Sequence, residues 1–397
     1  MLGVSVAPFV RNSGYGHQAG IVFPQFKELG WNPMVYAYRG LIGASIMWPG
    51  PDGVQIQPQG RRSAFGWEMI PYYHRMHEAD CVFSLANLFI FDEVKNLIAR
   101  DYGKTWFHWT PIDCDPIGAP DYNILNLTGI TPIAMSEFGV QKLQEFGWED
   151  PIYVPHSIDC SVFRPPASQA AKAEAKALMG VRPEVFVIGM NAANEAAHDR
   201  KAFNEQLTAF AAFHSRHPQT LLYMHTIANR HPTGLDLESM IRRLGIDDSV
   251  VFCDPDLYSS GGYTPEMLRE QFYWVCDLGT TASKGEGFGL PLVEFQACGV
   301  PVVTSNFGPM KELSAPGTDG AYRVPGQKAW SVLDSSYWQV PIIDDLESAY
   351  EQFHLQWREN DIMGCQQAAR VHALNWDTDR VRKEFWVPAL ERMGDLL

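Results

Sequence analysis

The chain has 397 residues, 46% of them hydrophobic and 19% charged, and a formal net charge of −15. That length exceeds one ordinary core and fits two domains, and the composition is that of a compact globular protein. Both halves are acidic, which excludes broad electrostatic attraction to nucleic acid or anionic lipid but leaves room for a local basic pocket. No apolar run reaches the roughly 18–20 residues that span a bilayer. The N-terminus has no basic stretch ahead of a long apolar core, so no signal peptide is expected either. Seven scattered cysteines without a CxxC pair point to reduced thiols in a cytoplasm, a host's if the chain is phage-encoded, and to no metal cluster.

In chain order, residues 2–10 read as a strand, followed by the glycine-bearing loop SGYGHQAG and a helix to about residue 29. Strands are expected at 32–38, 79–85, 105–110, 131–136 and 152–155, with helices around 91–102 and 137–146. The run PHSIDCSVFRPPAS, with Pro155, Pro165 and Pro166, reads as a linker over 156–167. A second series follows, with strands at 185–190, 221–226, 249–253, 277–281 and 300–305. Helices over 201–216, 237–244, 265–275 and from 291 alternate with them, and helical segments over 344–375 and 378–393 close the chain. Such alternation implies parallel sheets covered on both faces, with ligands at the carboxyl ends of the strands. The expected fold is therefore α/β: two Rossmann-like, doubly wound parallel-sheet domains, 1–155 and 168–375, facing a central cleft. A terminal helix, 376–397, is expected to pack back on the first domain.

The most informative stretch is SKGEGFGLPLVEFQACGVPVVTSNFGPMKEL, residues 283–313. Glu286 and Glu294 are separated by seven residues, Gly285, Gly287 and Gly289 surround the first acid, and a helix starts near Leu290. Small residues let a backbone approach a ligand closely. A helix start offers N–H groups and a positive dipole end to a phosphate. An acid in the loop can accept sugar hydroxyls, and one within the helix can reach a ribose. The spacing alone is equally that of a strand-to-helix turn with solvent-facing glutamates.

This run resembles the glutamate-x7-glutamate signature of the retaining glycosyltransferase family 4, of the GT-B fold: GFGLP, ACG and PVVTS occur in that family's order, and Glu312 matches its following acid. The resemblance implies that Glu286 contacts the donor sugar and Glu294 the donor ribose. It also implies that Ser283 and the backbone around Gly287, Phe288, Gly289 and Leu290 hold the diphosphate. VPHSIDCSVFRP looks like the family's linker motif. Arg200 and Lys201 match its basic pair for the leaving diphosphate, although Met190 stands where many members have a further arginine and Ala202 where many have glycine. The implied reaction moves a sugar from a UDP- or GDP-sugar to a hydroxyl acceptor, with retention, without a metal and without a tightly bound cofactor. The first domain would take the acceptor and the second the nucleotide sugar.

In the first domain the resemblance places the loop with Gly14, Gly16 and His17 near the donor phosphates and the acceptor. His108, at the end of a strand, is a candidate for the reacting carbon or equally a satisfied core histidine. Asp113 and Asp115 follow in a proline-lined loop, where acceptor binding or loop structure is expected and a DxD-like metal site is the rival reading. His225 and Arg230 are candidates for lining the nucleotide pocket. The segment 61–77, RRSAFGWEMIPYYHRMH, makes Trp67 a stacking candidate, against a core helix carrying Trp67, Ile70 and Tyr73. Three rivals stay open: a phage-type transferase acting on hydroxymethylated bases of DNA, a nicotinamide-dependent oxidoreductase, and a non-catalytic nucleotide-sugar-binding protein. The second strand ends MVYAYRG, with no acid for an adenosine ribose, which counts against the oxidoreductase.

Overall fold

The computed structural model describes residues 1–10, 13–48, 53–195, 198–229, 233–315 and 320–397. They form two compact units. One comprises Met1–Ser157, Ser331–Ser336 and Thr378–Leu397, the other Ile158–Trp330 and Tyr337–Asp377.

The first unit is built on an eight-stranded sheet: β1 Leu2–Val6, β2 Met34–Tyr38, β3 Ile46–Met47, β4 Gln55–Gln57, β5 Val82–Leu85, β6 Trp106–Thr110, β7 Thr131–Ala134 and β8 Ile152–Tyr153. Their spatial order is β3-β4-β2-β1-β5-β6-β7-β8, parallel throughout except for the antiparallel edge pair β3–β4. Two-residue periodicity sorts the side chains to the two faces. Leu2, Val4, Val6, Val82 and Trp106 join one core. On the other face Gly3 lies under the ring of Phe23, where an added Cβ would come within 2.4 Å of it. That face is aromatic, and Trp386 of the terminal segment lies 4.8 Å from Phe26, 4.8 Å from Trp109 and 5.8 Å from Phe83, centroid to centroid.

Trp386 is fully buried, and its indole N–H has no acceptor among the described residues. Trp386→Ala is therefore expected to cost about 3–5 kcal/mol through the cavity it leaves. Trp386→Phe, which gives up no hydrogen bond, should cost less than half as much. Denaturant midpoints of the two variants check this.

The second unit carries β9 Phe186–Asn191, β10 Thr220–His225, β11 Val250–Phe252, β12 Leu278–Thr281, β13 Val302–Ser305 and β14 Ala321–Val324, in the parallel order β11-β10-β9-β12-β13-β14. A two-stranded sheet pairs β15 Gly326–Ser331 with β16 Ser336–Pro341. Gly189 and Gly279 face each other across β9 and β12. Phe295 of the helix Leu290–Ala297 fills the recess they leave, and a Cβ at Gly279 would come within 2.6 Å of its ring. Two small residues thus let this helix sit close on the sheet, with its start at the strand ends. Nearly every residue of the helix is buried, so packing and not amphipathic patterning holds it.

Several sequence expectations need correction. The first strand ends at Val6, and Gly14, Gly16 and His17 lie within the first turn of the helix Gly14–Glu28, not in a loop. An added Cβ on Gly16 would come within 2.5 Å of the Val10 carbonyl, so a close backbone crossing requires glycine there. Strands β3, β4, β14, β15 and β16 were not expected: β3, β4 and β14 are two to four residues long, and β15–β16 is a hairpin with little apolar alternation.

Candidate functional site

The acid Glu286 and the basic pair Arg200–Lys201 meet in the second unit. Lys201 Nζ lies 2.6 Å from Glu286 Oε1, and Arg200 Nη1 donates to Glu286 Oε2 at 3.0 Å and to the Gly285 carbonyl at 2.6 Å. The two segments are tied by the Lys284 amide, which donates to the Arg200 carbonyl at 2.8 Å. Burial alone would push the Glu286 carboxyl up. Lys201 and Arg200 outweigh it, with help from the Ser283 side chain, and hold it at about 2. Glu286 is therefore an ionised carboxylate, its side chain 13% exposed, between two cations.

The basic pair is presented by an unusual turn. Asp199 and Ala202 both have left-handed backbone, at φ 50° and φ 54°. The Asp199 carboxylate accepts from the Phe203 and Asn204 amides at 2.7 and 3.1 Å, capping the helix Phe203–Arg216. The left-handed φ at Ala202 gives a reason for glycine to be common at this position in proteins of this pattern. Gln206 braces the turn from below. Its Nε2 donates to the Lys201 carbonyl at 2.8 Å, and its Oε1 accepts from the Thr280 hydroxyl at 2.6 Å and the Ala282 amide at 3.2 Å. Lys284 pairs with Glu205 at 3.2 Å and Asp199 at 3.5 Å. Sequence reading missed Asp199, Gln206 and Lys284. Asp199 and Gln206 also have partners four to five residues away, but the contacts that join them and Lys284 to the site span some 75–85 residues and leave no local pattern.

The loop after β12 leads to the helix start. Ser283 is buried, and its carbonyl accepts from the Ser305 hydroxyl at 2.6 Å. Gly289 has left-handed φ 116° at the N-cap, where a side chain would be strained, and Pro291 sits in the first turn. Phe288 and Leu290 are buried while Gly287 is half-buried, so backbone is what the loop presents. A small cleft here is lined by Asn191, Lys201, Ser283, Glu286, Gly289 and Pro291.

Glu294, one turn into the helix, is 6% exposed. Its Oε2 accepts from the Tyr273 hydroxyl, which in turn accepts from Asn191 Nδ2 at 2.9 Å. Burial raises the Glu294 carboxyl to about 7, with the Tyr273 hydrogen bond opposing it. Two acids separated by seven residues thus differ sharply, because one has cations beside it and the other has none. Such a split is a mark of functional sites. Glu312 lies on the short helix Met310–Leu313 of the same unit.

The first-unit candidates are placed as follows. His108, fully buried, faces Ser84 across the β5–β6 register, with Ser84 Oγ 2.6 Å from His108 Nδ1. Trp106 Nε1 donates to the same hydroxyl at 2.7 Å, so Ser84 ties the histidine and the tryptophan together in the core. Burial lowers the imidazole to about 3, so it is neutral, and its Nε2 is enclosed without a hydrogen-bond partner among the described residues. Trp67 is 1% exposed; its ring packs against Phe65 and Phe91 and its Nε1 donates to the Ile90 carbonyl at 3.0 Å. The core alternative for segment 61–77 is the one observed at Trp67, Ile70 and Tyr73. A buried Trp67 offers no face for stacking, which removes it as an acceptor contact.

Asp115 pairs with Lys142 at 2.9 Å. Asp113 is half-buried near Asp121, whose carboxyl is raised to about 8 by burial and then by Asp113 and Asp334. Gly14 is exposed, Gly16 buried and His17 half-buried beside His156. His225 is buried among Tyr258, Tyr263 and Phe272, and Arg230 lies outside the described residues.

Residues 195–331 match the family "Glycosyl transferases group 1". The chain is 29% identical over 184 residues to a D-inositol 3-phosphate glycosyltransferase 2 of Catenulispora acidiphila, covering 44% of this chain and 40% of the relative. It is 25% identical over 223 residues to a D-inositol 3-phosphate glycosyltransferase of Paenarthrobacter aurescens, covering 56% and 47%. The chain thus spans less than half the length of these curated relatives. Among solved structures, sucrose-phosphate synthase of Thermosynechococcus elongatus superposes with a TM-score of 0.75 at 13% identity, over 99% of both chains. HepE of Anabaena, solved in complex with UDP-glucose, superposes with a TM-score of 0.67 at 16% identity, over 98% of this chain and 99% of that one. The expected fold class, α/β with two parallel-sheet domains of the GT-B kind, is the one found. No helix among the described residues is long and apolar enough to cross a membrane.

Proposed function

We propose that this chain is a retaining glycosyltransferase that moves a sugar from a nucleotide diphosphate sugar to a hydroxyl of a glycan or small molecule. The observation that supports this best is Glu286 held between Arg200 and Lys201 beside the glycine loop. The match of residues 195–331 to a glycosyltransferase family covers that same region. In this reading the donor diphosphate competes with Glu286 for the two cations. Binding the phosphate oxygens to Arg200, Lys201 and the amides at the start of the helix Leu290–Ala297 releases the carboxylate to accept donor-sugar hydroxyls. Glu294 takes the ribose hydroxyls. His108, fully buried with its Nε2 enclosed, fits the core-histidine alternative and is assigned no substrate contact. Gly14, His17 and Asp113 are the remaining acceptor-side candidates, and Gly16 serves by keeping the backbone close.

The chemistry follows from the charges. As the bond from the anomeric carbon to the leaving phosphate oxygen breaks, negative charge grows on the diphosphate, and Arg200 and Lys201 stabilise it. The acceptor oxygen bonds the same face of that carbon and passes its proton to the leaving phosphate, so configuration is retained without a protein nucleophile.

The test is a panel of UDP-, GDP- and ADP-sugars, following release of the nucleoside diphosphate without acceptor. Slow hydrolysis of at least one donor is expected, and neither hydrolysis nor binding of any member overturns the reading. Transfer should also persist in chelator. A strict need for a divalent ion would return the charge-neutralising role to Asp113 and Asp115.

A further inference from the structure

A second cluster lies away from Glu286, where the end of the helix Phe203–Arg216 meets the helix Ile343–Arg358. His217 Nε2 lies 2.6 Å from Glu351 Oε2. Glu351 and His354 are three residues apart and share a helix face. One ligand-capable atom from each of His217, Glu351 and His354 falls within 4.8 Å of the others. His354 is only 6% exposed, enclosed by Phe186, Phe213 and Trp357, with the His217 ring 4.4 Å away centroid to centroid. Neither of its ring nitrogens makes a hydrogen bond among the described residues. Its ring nitrogens are not among the atoms closed off from solvent, so water or an ion can reach the free lone pair.

We propose that His217, Glu351 and His354 bind one divalent transition ion of the zinc class, with water as the fourth ligand. Two imidazoles and a carboxylate suit zinc, cobalt or nickel. Calcium and magnesium prefer oxygen-only shells. Ligand atoms around a tetrahedral ion stand roughly 3.3–3.6 Å apart. The present spacing brackets that value, so small side-chain rotations complete the site. Arg216 holds the other carboxylate oxygen, Glu351 Oε1, at 2.6 Å and bridges to Glu347 at 2.5 Å, which orients the ligating oxygen from the outer shell. The His217 and Glu351 side chains are 22% and 34% exposed, leaving a path for the ion and its water. The sequence carries no local metal signature here, neither clustered cysteines nor a second histidine close in sequence to Glu351 and His354. His217 stands 134 residues before Glu351, so only the fold joins the two segments. A bound ion would clamp the end of one helix to the other, and it plays no part in sugar transfer.

The full chain, stripped with chelator and titrated with cobalt, is expected to develop the visible absorption of a tetrahedral site at one equivalent and to lose it to zinc. Zinc should also raise the melting temperature. His354→Gln should abolish the band and the thermal shift, and Glu351→Gln should weaken binding by more than roughly tenfold. If His354→Gln does not melt cooperatively without metal, His217→Asn at the more exposed helix end takes its place. A wild-type chain without the band, or a folded variant that keeps it, overturns the proposal and leaves the cluster as an Arg216–Glu351–His217 ion-pair clamp. Stripping should lower the melting temperature without changing turnover, which separates this site from any metal need in transfer.

Discussion

Glu286→Gln is expected to lower turnover by about 100-fold or more while the chain still folds. A preorganised charged or hydrogen-bonding group acting on the reacting centre is typically worth about 10²–10³ in rate. Glutamine keeps the shape and one acceptor but loses the charge that pairs with Arg200 and Lys201. Those cations would then hold the diphosphate without a carboxylate to orient the sugar, so donor affinity should fall less than turnover. Near-normal turnover would remove Glu286 from the reaction. Stability provides a second readout. The folded carboxyl lies at about 2 against an ordinary 4.5, so its contribution is complete above about pH 4.5 and is lost as pH falls toward 2. That contribution is on the order of 3 kcal/mol. The glutamine variant should therefore be less stable at neutral pH and show a flatter acid limb in denaturant midpoints between pH 5 and 3.

Glu294→Gln should separate stability from function in the opposite direction. The folded value of about 7 lies above the ordinary 4.5, so the proton's contribution is complete below about pH 4.5 and lost as pH rises through 7. Wild type therefore carries a buried charge above pH 7 with only Tyr273 hydrogen-bonded to it. Glutamine stays neutral and can still accept from that hydroxyl. The variant is expected to be more stable than wild type at pH 8, by roughly 2–3 kcal/mol, and nearly equal to it at pH 5. The donor KM should rise about tenfold, as a charge-assisted acceptor for the ribose becomes a neutral one. Thermal unfolding at the two pH values and donor saturation curves measure both effects. A variant less stable at pH 8 than wild type would refute the buried-charge account.

Much of the cluster around Glu286 was legible in the chain because its residues are close in sequence. Glu286, the glycines around it and the helix carrying Glu294 occupy one stretch, and the alternation of strands and helices placed that stretch at strand ends. The acceptor-side candidates fared differently. An aromatic residue in a mixed segment reads alike whether it faces solvent or core, and Trp67 proved to be core. A glycine-bearing run after a strand reads as a loop, yet the helix begins at Gly14. Local pattern does not report which face packs, since burial depends on neighbours that arrive from elsewhere in the chain.

From the sequence alone came the two-unit α/β organisation, the acids separated by seven residues and the basic pair. All of these follow from periodicity, small-residue placement and short spacing, which the chain carries in its own order. Only the tertiary structure decided that Glu286 is locked between Arg200 and Lys201, and that Glu294 is isolated with Tyr273 and carries a raised carboxyl. The same holds for the burial of His108 against Ser84 and for the meeting of His217 with Glu351 and His354. Each depends on groups brought together across strand register or helix packing. A charge's neighbours, and not its own identity, set its protonation and its partners.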